Sequence, residues 1–154
     1  MTEPGEVRRT HPQSHPQGRS HSLKHLPAGA SQHSTAGPYS PVLEVDARRL
    51  VVVSGQVAVD ADGTVIGDTV EVQTEATLRN CARQLATAGC DLADVFKANV
   101  YLTDLADWAR FNTVYAAMMP EPRPARTAVQ AILLPGFLVE VEMWAAKPSP
   151  PDGT

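Results

Sequence analysis

Pro122-Arg123-Pro124-Ala125-Arg126-Thr127-Ala128-Val129 and, fourteen residues past Arg126, Val139-Glu140-Val141-Glu142 are the segments on which the fold turns. The second alternates with a period of two: Leu138, Glu140, Glu142 and Trp144 on one face, Val139, Val141, Met143 and Ala145 on the other. The apolar set predicts a covering layer of helices, and the polar set predicts solvent or another subunit. Two closing strands are therefore expected, about Ala125 to Leu133 and Leu138 to Ala146, joined by Pro135-Gly136. Arg126 stands at the mouth of the first. A desolvated guanidinium needs an anionic partner, because an unpaired buried charge is costly, and its planar fork suits a carboxylate. The residues alone leave two partners open: a small carboxylic acid, or Glu140 in an internal ion pair.

Upstream, the apolar positions Trp108, Phe111, Tyr115 and Met118 follow helical spacing and predict a helix from Asp107 to about Met119, ended by Pro120, Pro122 and Pro124. That stripe reads as core. Val95 to Thr103 predicts a strand alternating through Phe96, Ala98, Val100 and Leu102. A longer helix is expected from about Val70 to Ala88, capped by Asp68 or Thr69, buried through Leu78, Cys81, Ala82, Leu85 and Ala86, and stopped by Gly89. Asp60-Ala61-Asp62-Gly63 predicts a turn with Gly63 at positive φ. Val42 to Val45 and Leu50 to Gln56, flanking the Asp46–Arg49 turn, read as a hairpin. The β-branched run Leu50-Val51-Val52-Val53 reads as covered on both faces. Ser22 to Leu26 supplies a short first strand. The order is β-β-β-α-β-α-β-β, an α+β architecture with two helices on one face of a mixed sheet.

Residues 1–20 are rich in His, Pro, Ser, Gln and Arg, with almost nothing to bury, and read as a disordered extension; 21–148 form one domain and 149–154 a short tail. All five histidines fall within the first 33 residues, so histidine catalysis and histidine metal ligation are excluded from the core, and no metal is expected. Residues 34–154 carry 9 basic and 15 acidic side chains, near −6, which argues against nucleic-acid binding. Cys81 and Cys90 are too few for a disulfide framework and fit buried thiols of a reducing compartment. No apolar run reaches the roughly 18 residues of a membrane span, and a cytoplasmic setting is expected.

These segments, with Gly37-Pro38-Tyr39-Ser40, Ser54-Gly55-Gln56, Val100-Tyr101-Leu102-Thr103-Asp104, Asn112 with Tyr115, and Leu134-Pro135, resemble the RidA/YjgF family over roughly residues 22 to 147. The resemblance implies a chorismate-mutase-like fold and a homotrimer with ligand clefts between subunits. It implies hydrolytic deamination of 2-imino or enamine acids, such as 2-iminopropanoate and 2-iminobutanoate, to 2-oxo acids and ammonia, without cofactor. In that reading Arg126 binds the carboxylate and Glu140, placed beside it, orients water. Tyr39, Ser54 and Asn112 line the same cleft, partly from the adjacent subunit. Each of those three also has a structural reading: a loop anchor, a strand-end cap and a backbone cap. Three positions depart from the family pattern. Ala128 stands in the cleft where many members carry cysteine, which leaves the substrate side-chain preference open. Met118-Met119 replaces a phenylalanine pair, and Gln130 replaces a frequent acidic residue. The alternatives are a non-catalytic trimer sensing small 2-oxo acids, an endoribonuclease, which the acidic core disfavours, and a specialised biosynthetic role.

Overall fold

The computed structural model describes residues 23–32 and 37–148; the expected extension 1–20 and tail 149–154 lie outside the described residues. In chain order the elements are β1 (Lys24–His25), β2 (Glu44–Val45), β3 (Leu50–Val57), α1 (Val70–Thr87), β4 (Val95–Leu102), α2 (Trp108–Met118), β5 (Ala125–Gln130) and β6 (Val139–Ala146), with single 3₁₀ turns before β4 and α2. The main sheet runs β3-β6-β4-β5. β6 pairs antiparallel with β3 and β4, and β5 pairs parallel with β4. The parallel pair requires a crossover, which α2 provides. The sheet is therefore mixed, with both helices on one face, as the alternation in β6 predicted.

The helix-facing residues of β6 are buried throughout, as are Ala98, Val100 and Leu102 of β4. With Leu78, Cys81 and Leu85 of α1 and Phe111 and Tyr115 of α2 they form the core. Thr69 caps α1 by accepting from the Val72 amide at 3.4 Å, and Gly89 follows the helix at φ +72°. The Asp60 carboxylate closes the next turn on the amides of Asp62 and Thr64, each at 2.9 Å, and Gly63 takes φ +84°. Both cysteines are buried and free, and burial pushes the Cys81 thiol up to about 12. Among the described residues, no helix is long and apolar enough to cross a membrane.

Five local expectations are corrected. β2 pairs with β1, not β3: Lys24 lies opposite Val45 and His25 opposite Glu44. The buried Lys24 ammonium, donating to the Val95 carbonyl, fastens that small sheet to the start of β4. β3 is consequently an edge strand, and Leu50 and Val52 are exposed while Val53 is buried, so the run is covered on one face only. Phe96 drops out of the β4 alternation because the ladder shifts register between Val95 and Lys97. Ala86 is exposed. In its place, α1 buries Gln73, Thr74, Thr77 and Asn80, and amide nitrogens of Gln73 and Asn80 bond the Gly67, Gly136, Val57 and Val59 carbonyls. β5 ends at Gln130 because its partner β4 ends at Leu102; the chain leaves the sheet, exposing Ile132 and Leu134.

Candidate active site

Arg126 is the second residue of β5, directly opposite Ala98, and so points to the helix face of the sheet. It is only 8% exposed, and Nε, Nη1 and Nη2 are all buried with no hydrogen-bond partner. Four rings surround it instead. Its Cζ lies 4.6 Å from the ring centre of Tyr115, 5.1 Å from Tyr39 and Trp108, and 5.5 Å from Phe111. Ring faces attract the cation without accepting its N–H groups, so the fork is held while its donors stay unspent. Burial lowers the guanidinium's pKa, opposed by Tyr115 and Tyr39; a guanidinium keeps its charge at neutral pH all the same.

Spacing supplies three of the rings. Trp108, Phe111, Asn112 and Tyr115 recur at i, i+3, i+4 and i+7 and face β5 from one side of α2. The fourth comes from the strap Gly37–Ser40. The Ser40 amide donates to the Pro124 carbonyl at 3.1 Å, its hydroxyl donates to the Arg123 carbonyl, and Tyr39 is thereby set over the guanidinium. Two further orphans join the cage: Asn112 Oδ1 and the Tyr115 hydroxyl are buried without partners. Burial raises the Tyr115 pKa, so that hydroxyl stays protonated. The cage thus offers several cationic and neutral donors, one amide acceptor, and no carboxylate.

Glu140 occupies the other face. It lies opposite Tyr101 of β4 and Val57 of β3, among the outward residues of β6. Its carboxylate lies against Gly55, where a Cβ would stand 2.0 Å from Oε1. Ser54, exposed, precedes Gly55 at the irregularity between Val53 and Gln56. Glu142 is bound within the chain, accepting from Asn99 at 2.8 Å and from the Tyr101 hydroxyl at 3.0 Å. The chain therefore brings Arg126, Tyr39 and Asn112 together on the helix face. It sets Glu140 apart on the other, with Ser54 at the register irregularity of the edge strand β3. The internal Arg126–Glu140 ion pair is overturned, and the expected placement of Glu140 beside Arg126 does not occur within one chain.

The sequence matches the family described as Endoribonuclease L-PSP over residues 30–147. The chain belongs to this family, the RidA/YjgF family. It is 39% identical over 129 residues to Protein mmf2, mitochondrial, of Schizosaccharomyces pombe, covering 81% of this chain and all of that one. It is 35% identical over 127 residues to 2-iminobutanoate/2-iminopropanoate deaminase of Capra hircus, covering 81% and 91%. The crystal structure of a YjgF-family member from Neisseria meningitidis superposes at TM-score 0.60 with 34% identity, covering 75% of this chain and 92% of that one.

In this RidA-family chain Ala128 shares the Arg126 face, opposite Val100, half-buried against the core. Reading from sequence missed the cage role of Trp108, Phe111 and Tyr115, whose spacing spoke only of burial. It also missed Gly37, Ser40 and Gly55, which sit inside the quoted motifs without chemistry of their own. An open cleft of about 520 Å³ beside α1 is separate from Arg126. Its two arginines are already committed, Arg79 to Glu75 and Arg83 to Asn80.

Proposed function

We propose that this protein hydrolyses small 2-imino acids to 2-oxo acids and ammonia, in a homotrimer whose sites lie between subunits. The observation that carries this reading is the Arg126 guanidinium: buried, caged by four rings, and without an acceptor of its own. A carboxylate is the partner whose geometry fits such a fork. The sequence relationship to 2-iminobutanoate/2-iminopropanoate deaminase supports the choice among carboxylic acids.

Arg126 would take the substrate carboxylate in two parallel hydrogen bonds and so fix the imine carbon. Glu140 of a neighbouring subunit, beside Ser54, would hold the attacking water and accept its proton as oxygen adds to C=N. Glu140 returns that proton to the nitrogen, the C–N bond breaks with release of ammonia, and the hydroxyl gives its proton back to the Glu140 carboxylate as the carbonyl of the 2-oxo acid forms. Tyr39 and Asn112 would enclose the ligand from the Arg126 side, with Ala128 on the same face. The exposed Leu50, Val52, Val129, Ile132 and Leu134 support burial against further copies of the chain. The free buried cysteines favour a reducing, cytoplasmic setting.

A non-catalytic reading rests on one observation: the Arg126 half alone, with Glu140 on the opposite face, suffices to bind a 2-oxo acid. One assay separates the two. 2-Iminopropanoate or 2-iminobutanoate is generated with an amino-acid oxidase, and residual imine is trapped with semicarbazide. The wild type is expected to lower the trapping rate and Arg126→Ala to leave it at the background value. A wild type that changes the rate for no imine defeats the deaminase reading. For the ribonuclease activity that the family description names, RNA cleavage that survives in repurified Arg126→Ala belongs to another site or a contaminant.

A further inference from the structure

We propose that Gly37 is a positioning residue, the stop that sets where the Arg126 fork points. The proposal rests on the reading that Arg126 grips the substrate carboxylate. Gly37 packs against the cage from the strap, at a position that takes no side chain. Space demands the glycine. A Cβ at this position would lie 2.8 Å from Arg126 Nη2, 3.2 Å from Asn112 Nδ2 and 3.4 Å from Tyr39 Cε1. The first distance is below what real Cβ atoms tolerate, and all three neighbours belong to the cage.

What would yield to an added methyl decides the consequence. The strap is fixed: the Tyr39 amide bonds the Gly37 carbonyl at 2.9 Å, and Ser40 is tied through backbone and hydroxyl to Pro124 and Arg123. Those anchors stand two and three residues from Arg126 itself, so the strap and the root of the arginine move as one body. The guanidinium, by contrast, has no hydrogen bond to hold it. Ring faces resist its withdrawal but fix its orientation weakly, since the cation–π attraction tolerates rotation of the fork. The guanidinium therefore moves, and the two parallel bonds a carboxylate needs fall out of line.

The test is a double-mutant cycle in the full-length protein, using Gly37→Ala, Arg126→Lys and the pair. Binding of 2-oxobutanoate is measured by calorimetry, and kcat and KM are measured by imine trapping. Gly37→Ala is expected to weaken 2-oxobutanoate and lower kcat/KM by about ten- to a hundredfold, the cost of a misplacement near 1 Å. Part of that loss should fall on kcat, because the imine carbon held by a displaced fork no longer lines up with the water on Glu140. A lysine has no Nη2 for the methyl to strike, and only the milder contacts with Asn112 and Tyr39 remain, so Gly37→Ala should cost several-fold less in the Arg126→Lys background. Unchanged binding by Gly37→Ala overturns the proposal, as does an equal loss in both backgrounds. If Gly37→Ala does not fold, thermal unfolding is read in its place: restored folding in the double variant supports the proposal, and continued failure overturns it. A wild type that neither binds 2-oxobutanoate nor hydrolyses any imine removes the carboxylate reading first, and the positioning role with it.

Discussion

Arg126 and Glu140 project from opposite faces of one sheet. Arg126 lies opposite Ala98, and Ala98 lies opposite Met143, whereas Glu140 lies opposite Tyr101 and is out of phase with both. Ala98 and Tyr101 stand an odd number of positions apart along β4 and so face opposite ways, and no rotamer brings the two charges together through the sheet. A site using both must draw them from two chains. Geometry thus makes association of at least two chains a condition of the proposed chemistry.

That condition is open to a complementation experiment. Arg126→Ala and Glu140→Gln should each be inactive alone in imine trapping. Unfolded together in equal amounts and refolded as mixed trimers, they should recover about a quarter of wild-type activity, because one site in four then pairs an intact arginine with an intact glutamate. No recovery would mean that both residues serve from one chain, and activity in Glu140→Gln alone would mean that Glu140 is dispensable.

Ser40 offers a second check, on the strap. Ser40→Ala deletes the hydroxyl bond to the Arg123 carbonyl but keeps the backbone bond to Pro124. Loss of a partly buried bond of this kind costs about 1 kcal/mol. The expected result is a modest fall in the unfolding midpoint, with a larger proportional rise in KM as Tyr39 loosens over Arg126. A stability loss with KM untouched would detach the strap from ligand binding.

How much of this was readable in the chain differs from element to element. β6 declared its faces because apolar and polar residues alternate without interruption. α1 was legible at both ends, from Thr69 and Gly89. The hairpin at 42–56 was misread because two β-rich runs flanking a turn look alike whether they pair with each other or elsewhere; β2 pairs back to β1. The buried polar residues of α1 broke the apolar stripe because their partners are loop carbonyls, which carry no sequence signature. The relative faces of Arg126 and Glu140 were illegible for a similar reason. Alternation orders residues within a strand, but the phase between two strands depends on register, which only pairing reveals. The helical spacing of Trp108, Phe111 and Tyr115 spoke correctly of burial and was silent about the cation buried among them.

Gln73 joins α1 to the loop before β6. Its amide nitrogen donates to the Gly67 carbonyl at 3.0 Å and the Gly136 carbonyl at 2.8 Å, while its oxygen accepts from the Leu138 amide at 2.8 Å. Gln73→Leu keeps the volume but leaves three backbone groups without partners, at an expected cost of about 2–3 kcal/mol in urea unfolding. Gln73→Glu should not restore stability, because a carboxylate turns an acceptor toward two carbonyls. Full stability in Gln73→Glu would show that the single Leu138 bond is enough.

Cys81 gives the alkaline behaviour a definite sign. Burial pushes its thiol from 9.0 up to about 12 in the folded chain. Below pH 9 it is protonated in both states, and its contribution to stability is fully present. Between pH 9 and about 12 the unfolded chain loses the proton while the folded chain keeps it, so stability falls as pH rises, at up to about 1.4 kcal/mol per pH unit from this one group. Cys81→Ala removes the titration along with some core packing. Its stability deficit relative to wild type, measured by urea unfolding, should be constant up to pH 9 and shrink steadily from there. Cys90 and the tyrosines titrate equally in both proteins and cancel in the comparison. Parallel curves through pH 10.5 would place the Cys81 thiol in contact with solvent or a cation, contrary to its position against the Val141 carbonyl at 3.7 Å in the closed core.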